Sequence, residues 1–345
     1  WAPAVHRNSP LAFPFVPTGA HPRKFGFERV FDRPMWVEKI VSVISLVVVG
    51  VLLLSYLLPI VLVRLLPPQD LRRRYDAKWA VVTGASSGIG KSLARMVASQ
   101  GVNVVMVGLP DAVLESAHQE LVKEFPSVEF RAVGVDLSDP DGAYLKVVEE
   151  QTRDIPVSLL FNNAGYLSMG FFLDQDIAKV MRNVECNAGA GMRLSHHFLR
   201  RMREKKLRGC IAFTSSAAFY LPTPFAVAYG ASKSMLSHFV STLAIEVAED
   251  NVDVVCVHPS YTATGLYDKA PKIGVLKLLE NFAASPDDVA KTLLQAMGRV
   301  IFVDTGFYAV ITRLVSKILD MGLFTLLIIP FRHTIPEWKE FSKRD

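Results

Sequence analysis

Tyr229 and Lys233 stand four residues apart in Tyr-Gly-Ala-Ser-Lys, a spacing that puts both side chains on one face of a helix. A tyrosine with an ordinary pKa of about 10 is a slow acid–base group at neutral pH. An ammonium beside it favours the phenolate and draws that pKa down. Ser216, at the end of an apolar run, can hold a substrate oxygen by a hydrogen bond. Asn187, inside a helical stretch, can hold a water that links Lys233 to solvent. A second feature is the run Thr83-Gly84-Ala85-Ser86-Ser87-Gly88-Ile89-Gly90-Lys91. Its glycines let the backbone approach a pyrophosphate, and the helix that follows offers unpaired N–H groups to the negative charge. Placed between a strand and a helix, such a turn predicts a dinucleotide site.

The elements that must position these residues follow from the hydrophobic pattern. Strands are expected at Trp79–Thr83, Val102–Val107, Val128–Val135, Val157–Phe161, Cys210–Thr214 and Val252–Val257, with helices between them, including Ile89–Ser99 and about Asp111 to Glu124. Strand–helix alternation of this kind predicts an α/β fold, a doubly wound parallel sheet of Rossmann type, over residues 75–306. Ser285-Pro286-Asp287-Asp288 is a helix start: a cap, a first-turn proline, then two acids.

From Thr83 onward the chain resembles the short-chain dehydrogenase/reductase family, for about 190 residues. The phosphate turn has that family's Thr-Gly-x-x-x-Gly-x-Gly spacing. Asn162-Asn163-Ala164-Gly165 matches its Asn-Asn-Ala-Gly, and Asp136 matches the acid that contacts the adenine ring. Asn187, Ser216, Tyr229 and Lys233 match its catalytic tetrad, with Ser216 thirteen residues before the tyrosine. Pro259-Ser260-x-x-x-Thr264 resembles its Pro-Gly-x-x-x-Thr, with Ser260 in place of the glycine. The resemblance implies hydride transfer between a nicotinamide dinucleotide and a carbonyl or alcohol, with Tyr229 as proton donor. It implies that Thr83, Gly84, Ser86, Ser87, Gly88, Ile89, Gly90, Lys91, Asp136, Asn162, Asn163, Ala164, Gly165, Tyr229, Lys233, Pro259 and Thr264 hold the cofactor. NADP(H) is favoured, since Lys91 or Ser86 can reach a 2′-phosphate, and NAD(H) is the alternative. Met106-Val107-Gly108-Leu109-Pro110-Asp111 carries neither the basic residue usual for NADPH nor the Asp usual for NADH at the end of the second strand.

Half of the residues are hydrophobic and the net charge is +5. Basic residues are spread along the chain without interleaved aromatics, which argues against nucleic acid as a partner. Ile40 to Val63 is 24 residues without a charge, enough to cross a hydrocarbon core that needs about 20. Residues 39–66 are therefore expected to form a single transmembrane helix, after an irregular arm at residues 1–38. Basic residues flank both ends, so charge does not fix the orientation. The segment Gly265 to Ala284, within a lid over about 260–284, is apolar and suits a lipid-like carbonyl substrate or packing against a neighbour. Residues 307–345 read as a tail lying in the membrane interface or facing a partner. The layout resembles membrane-anchored 3-ketoacyl-CoA, 3-ketosphinganine and 17β-hydroxysteroid reductases. That implies an endoplasmic reticulum membrane, with a mitochondrial or plastid membrane as the alternative. The partners allowed for are a homo-oligomer or a larger membrane complex, and a weakly active or inactive accessory subunit of such a complex is the competing reading. Cys186, Cys210 and Cys256 are too few and too scattered for a disulfide framework or a metal site. The adjacent His196 and His197 point to different sides of a helix and read as surface or packing residues.

Overall fold

The computed structural model describes residues 34–267 and 280–342. Most of the expected arm, and the lid between residues 268 and 279, lie outside the described residues.

β1 (Trp79–Thr83) is buried at every position, as a strand covered on both faces must be. It pairs in parallel with β2 (Asn103–Gly108) on one side and β4 (Val157–Asn162) on the other. With β3 (Phe130–Gly134), β5 (Gly209–Thr214), β6 (Val252–Pro259) and β7 (Phe302–Thr305) they form one sheet in the order β3-β2-β1-β4-β5-β6-β7. The first six strands fall within two residues of their expected bounds. β7, four residues long, was not expected from the pattern.

Alternate residues of each strand feed two cores. Val82, Val104 and Met106 pack with Leu93 of α1 (Gly88–Ala98), Leu121 of α2 (Ala112–Glu124) and Leu293 of α3 (Pro286–Ala296). Val81, Val105 and Val107 pack with Tyr144 of α4 (Ala143–Gln151), Phe198 of α5 (Ala190–Glu204) and Leu236 of α6 (Val227–Glu246). The Ser285 cap is made as expected, its hydroxyl accepting from the Asp288 N–H at 3.0 Å. Asp111 caps α2 in the same way, accepting from the N–H groups of Val113 and Leu114.

The long apolar helix runs over Met35–Leu65, beginning four residues before the expected start. Its most apolar 18-residue window has a mean hydropathy of 2.9 and is only 17% buried, which does not fit a core helix. By length and composition it could cross a membrane. In its last turns Tyr56, Ile60 and Val63 are buried, at helical spacing. After β7, α7 (Phe307–Ile318) and α8 (Met321–Ile328) follow. Leu323, Leu326, Leu327 and Phe331 are exposed, and α8 buries none of its residues.

Candidate active site

The strand order reverses between β1 and β4, and a parallel sheet opens a crevice beyond the carboxyl ends of its strands there. A cavity of about 540 Å³ lies at that place.

Its floor is stitched by side chains that end the central strands. Thr83 Oγ1 accepts from the N–H groups of Asn163 and Ala164, at 2.9 and 3.0 Å. The Asn163 amide donates to the Thr83 carbonyl at 3.1 Å and accepts from Thr214 Oγ1 at 3.1 Å. Gly84 and Gly88 have φ of +65° and +52°, the left-handed region that favours glycine. A Cβ on Gly84 would press on the Ala164 backbone at 3.0 Å, and one on Gly90 would overlap the Gly84 carbonyl. Ser87 starts α1 without a side-chain cap, which leaves the first-turn N–H groups to an anion. A glycine cradle, a helix N-terminus and a cavity of this size fit a nicotinamide dinucleotide.

Gly84, Ser86, Ser87, Gly88 and Ile89 line the cavity, with Asp136, Asn163, Ala164, Gly165, Pro259 and Thr264. Asp136 accepts from the Ser138 N–H and hydroxyl at 2.9 and 2.7 Å, and from Arg182 at 2.5 Å. Burial works to raise its pKa, but the Ser138 hydrogen bonds and the Arg182 cation hold the carboxyl below its usual range.

Four expected cofactor contacts fall elsewhere. Asn162 turns into the core, where its amide donates to Ser195 at 3.0 Å. Adjacent strand residues face opposite sides, so Asn163 alone reaches the cavity. Lys91 is drawn away to Glu120, 2.6 Å from its Nζ. Gly90 acts through close backbone packing rather than by lining the space. Thr83 likewise acts as a strut beneath the floor.

Ser216, Tyr229 and Lys233 converge on the cavity wall. Ser216 is extended and caps a short turn, Ala217–Phe219, its hydroxyl accepting from the Ala218 N–H at 3.1 Å. Tyr229 and Lys233, both buried, sit one turn apart on α6. Lys233 Nζ donates to the Thr214 carbonyl at 2.9 Å and lies 5.7 Å from the Tyr229 ring centroid. Burial pushes the Lys233 pKa down to about 8. Burial also raises that of Tyr229, with a Ser216 hydrogen bond in partial opposition. Burial sets the direction for Tyr229 here, since the Lys233 ammonium is turned toward the Thr214 carbonyl.

Asn187 lies not in a regular helix but in a π turn, Glu185–Gly189, between α9 (Ile177–Val184) and α5. The turn is closed by the Ala190 N–H donating to the Glu185 carbonyl five residues back. Tyr144 and Arg193 both donate to the Glu185 carboxylate, at 2.5 and 3.0 Å, and pin it. Asn187 brackets the Tyr166 backbone, accepting from its N–H at 2.8 Å and donating to its carbonyl at 3.0 Å. A Cβ on Gly165 would stand 2.8 Å from Asn187 Oδ1 and 3.5 Å from Lys233 Nζ, so both groups flank one point that only glycine leaves open.

Sequence reasoning passed over Tyr166, Leu167 and Cys186, which line the same wall. Cys186 precedes Asn187 directly, and that adjacency was the available signal. Burial pushes its thiol up to about 12. Leu266 and Tyr267, expected in the lid, do line the cavity, and Tyr267 stacks on Tyr261 at 4.2 Å. His197 pairs with Glu149 at 2.9 Å and packs edge-on against Phe198.

A parallel sheet wound in this order, with a glycine cradle at its switch point and a Tyr–Lys pair facing it, defines a dinucleotide-dependent oxidoreductase. The profile of the short chain dehydrogenase family matches residues 78–272, and the chain belongs to that family, whose members are NAD(P)-dependent. It is 30% identical over 271 residues to a very-long-chain 3-oxoacyl-CoA reductase of Yarrowia lipolytica, covering 74% of this chain and 67% of the relative. It is 32% identical over 199 residues to the human inactive hydroxysteroid dehydrogenase-like protein 1, covering 57% and 59%. A solved short-chain dehydrogenase from Sphingobium yanoikuyae, in complex with NADPH, superposes with a TM-score of 0.59 at 26% identity. That match covers 65% of this chain and 86% of the other.

Proposed function

We propose that this protein is a membrane-held reductase that delivers hydride to a ketone on a lipid-like substrate. The observation that carries the reading is the convergence of Ser216, Tyr229 and Lys233 on one wall of the dinucleotide cavity, with Asn187 behind Gly165. A bound reduced nicotinamide would supply the hydride. Gly84, Ser87, Gly88 and the start of α1 would hold its pyrophosphate, and Asp136 its adenine end. Ser216 holds the substrate oxygen, and Tyr229, kept protonated by its burial, donates the proton that oxygen needs. Lys233, one helical turn from Tyr229, would return that proton to the phenol, with Asn187 as the expected holder of the relaying water.

The lipid-like substrate is supported by Leu167, Leu266 and Tyr267 on the cavity wall, by the apolar helix, and by the Yarrowia relative's name. The apolar helix would span the membrane, of the endoplasmic reticulum by that resemblance, and the exposed apolar face of α8 would lie in the interface. NADP(H) is the preferred cofactor by similarity to the reductive relatives and to a neighbour solved with NADPH. With Lys91 paired to Glu120, Ser86 is the expected 2′-phosphate partner that lines the cavity.

A second reading, a weakly active or inactive accessory subunit, is favoured by that same pair and by Leu109 where a basic residue is usual. The human relative's name supports it too. Turnover decides between them. With NADPH and NADH against a panel of long-chain 3-keto substrates, the full chain should reduce at least one. Tyr229→Phe should lose about 10²- to 10⁴-fold in kcat, with dinucleotide affinity unchanged. Equal turnover by wild type and Tyr229→Phe would remove Tyr229 from the mechanism.

A further inference from the structure

A cluster of buried polar groups that this mechanism does not use is centred on Asp304 in β7. The carboxylate is fully buried and accepts four contacts: Tyr220 OH at 2.7 Å, Arg313 at 2.9 Å, Tyr56 OH at 3.0 Å, and His258 Nδ1 at 3.4 Å. Burial on its own would push the His258 pKa down, but the Cys256 sulfur and the Asp304 carboxylate raise it to about 9. A carboxylate removed from water survives only with such company. The four donors come from four different places. Tyr56 belongs to the last turns of the apolar helix, and Arg313 to α7. Tyr220 ends the short turn that Ser216 caps, and His258 directly precedes the cavity residue Pro259. On its other side His258 Nε2 lies 3.0 Å from Ser237 Oγ, which donates to the carbonyl of Lys233 one turn earlier.

We propose that Asp304 is a positioning residue through which the base of the apolar helix sets the Ser216 turn. Tyr56 holds Asp304, Asp304 holds Tyr220, and Tyr220 fixes the turn that presents the Ser216 hydroxyl. The inference rests on the reading of Ser216 as the substrate oxygen's partner and extends that site to residue 56. The helix is then a working part of the active site as well as a tether.

Asp304→Asn would leave His258 and Arg313 without their counter-charge and endanger folding, so Tyr56→Phe carries the test. It deletes one hydroxyl and keeps the ring beneath Arg313, whose guanidinium carbon lies 4.5 Å from the ring centroid. Val63→Ala, buried in the same helix and outside the cluster, supplies a destabilised control. The full chain is measured in lipid nanodiscs. The first readout is hydrogen exchange at the amides of Phe219 and Tyr220, which donate to the carbonyls of Ser216 and Ala217 at 3.1 Å. Tyr56→Phe should speed both by about fivefold, the worth of one hydrogen bond, and leave Asn163 and Ala164 unchanged, while Val63→Ala should leave all four alone. The second readout is kcat on a long-chain 3-keto substrate. It should fall about 3- to 10-fold in Tyr56→Phe with KM for the dinucleotide unchanged, and Tyr56→Phe with Tyr220→Phe together should lose no more than Tyr220→Phe alone. Unchanged exchange in Tyr56→Phe, or an equal rise in Val63→Ala, would overturn the proposal. Absence of wild-type turnover on every carbonyl would sink the reductase reading instead. The exchange result, which needs no substrate, would still decide whether Tyr56 sets the turn.

Discussion

The middle of the sheet and its β7 edge solve the same problem, holding a polar group still at a strand terminus, by opposite means. Around β1 and β4 the holding groups are neutral, with Thr83 locked to Asn163 and Ala164 by hydrogen bonds of 2.9 to 3.1 Å. Around β6 and β7 the centre is charged and fully buried, Asp304 with His258, and it is held by Arg313, Tyr220 and Tyr56, the last 248 residues away. A neutral cradle can exchange its water for a ligand at little electrostatic cost. A buried charge cluster cannot exchange anything, and its strength is retained only while every member keeps its charge. One side is built to receive and the other to hold.

That contrast predicts a pH response confined to one side. His258 has a folded-state pKa of about 9, above its ordinary value. Its contribution to stability is complete below pH about 6.5 and is lost as pH rises through 9, an effect on the order of a few kcal/mol. Thermal unfolding of the full chain should shift downward across that window, and His258→Asn should flatten the slope. An unchanged slope in the variant would show that the cluster does not carry the charge assigned to it.

The neutral side breaks by volume instead. Gly90→Ala would drive a methyl into the Gly84 carbonyl, and overpacking of that kind costs about 1–3 kcal/mol. Dinucleotide affinity should fall by about tenfold or more, equally at pH 6.5 and pH 9, as read by titration. A loss that tracked pH would blur the distinction between the two sides.

The smallest effect belongs to Lys91. Its side chain is partly exposed and paired with Glu120, so Lys91→Ala should weaken NADPH and NADH alike by less than about threefold. A selective loss of NADPH would mean that Lys91 leaves Glu120 for the 2′-phosphate.

How legible each region is in the sequence follows from the same contrast. The neutral side is written locally: the glycine turn, the alternation of the strands and the Ser285 cap each need only a few neighbouring residues to be recognised. Even so, reading Asn162-Asn163 as one motif hid that their side chains face opposite sides of β4. The charged side has no local signature. Asp304 sits in a four-residue strand too short to announce itself, and its partners are joined only by folding. The direction of the Tyr229 shift was equally out of reach. Spacing shows that Lys233 is near, but not that both groups are buried or that the ammonium turns to Thr214.

The π turn at Glu185–Gly189 has a consequence for how this chain tolerates insertions and deletions. A π turn holds one residue more than an α-helical turn would use, and each helical residue advances the side chain by about 100°. Deleting Ala188, for example, would let the segment close to an ordinary α-helical turn, with α9 and α5 still in phase but the side chains inside the turn moved from their stations. Asn187 would then lose its phase against Tyr166 and Lys233, although every named residue of the site was still encoded. The site is thus sensitive to length at a place where substitutions alone would look harmless, and length changes should be far scarcer there than in the exposed loops around it.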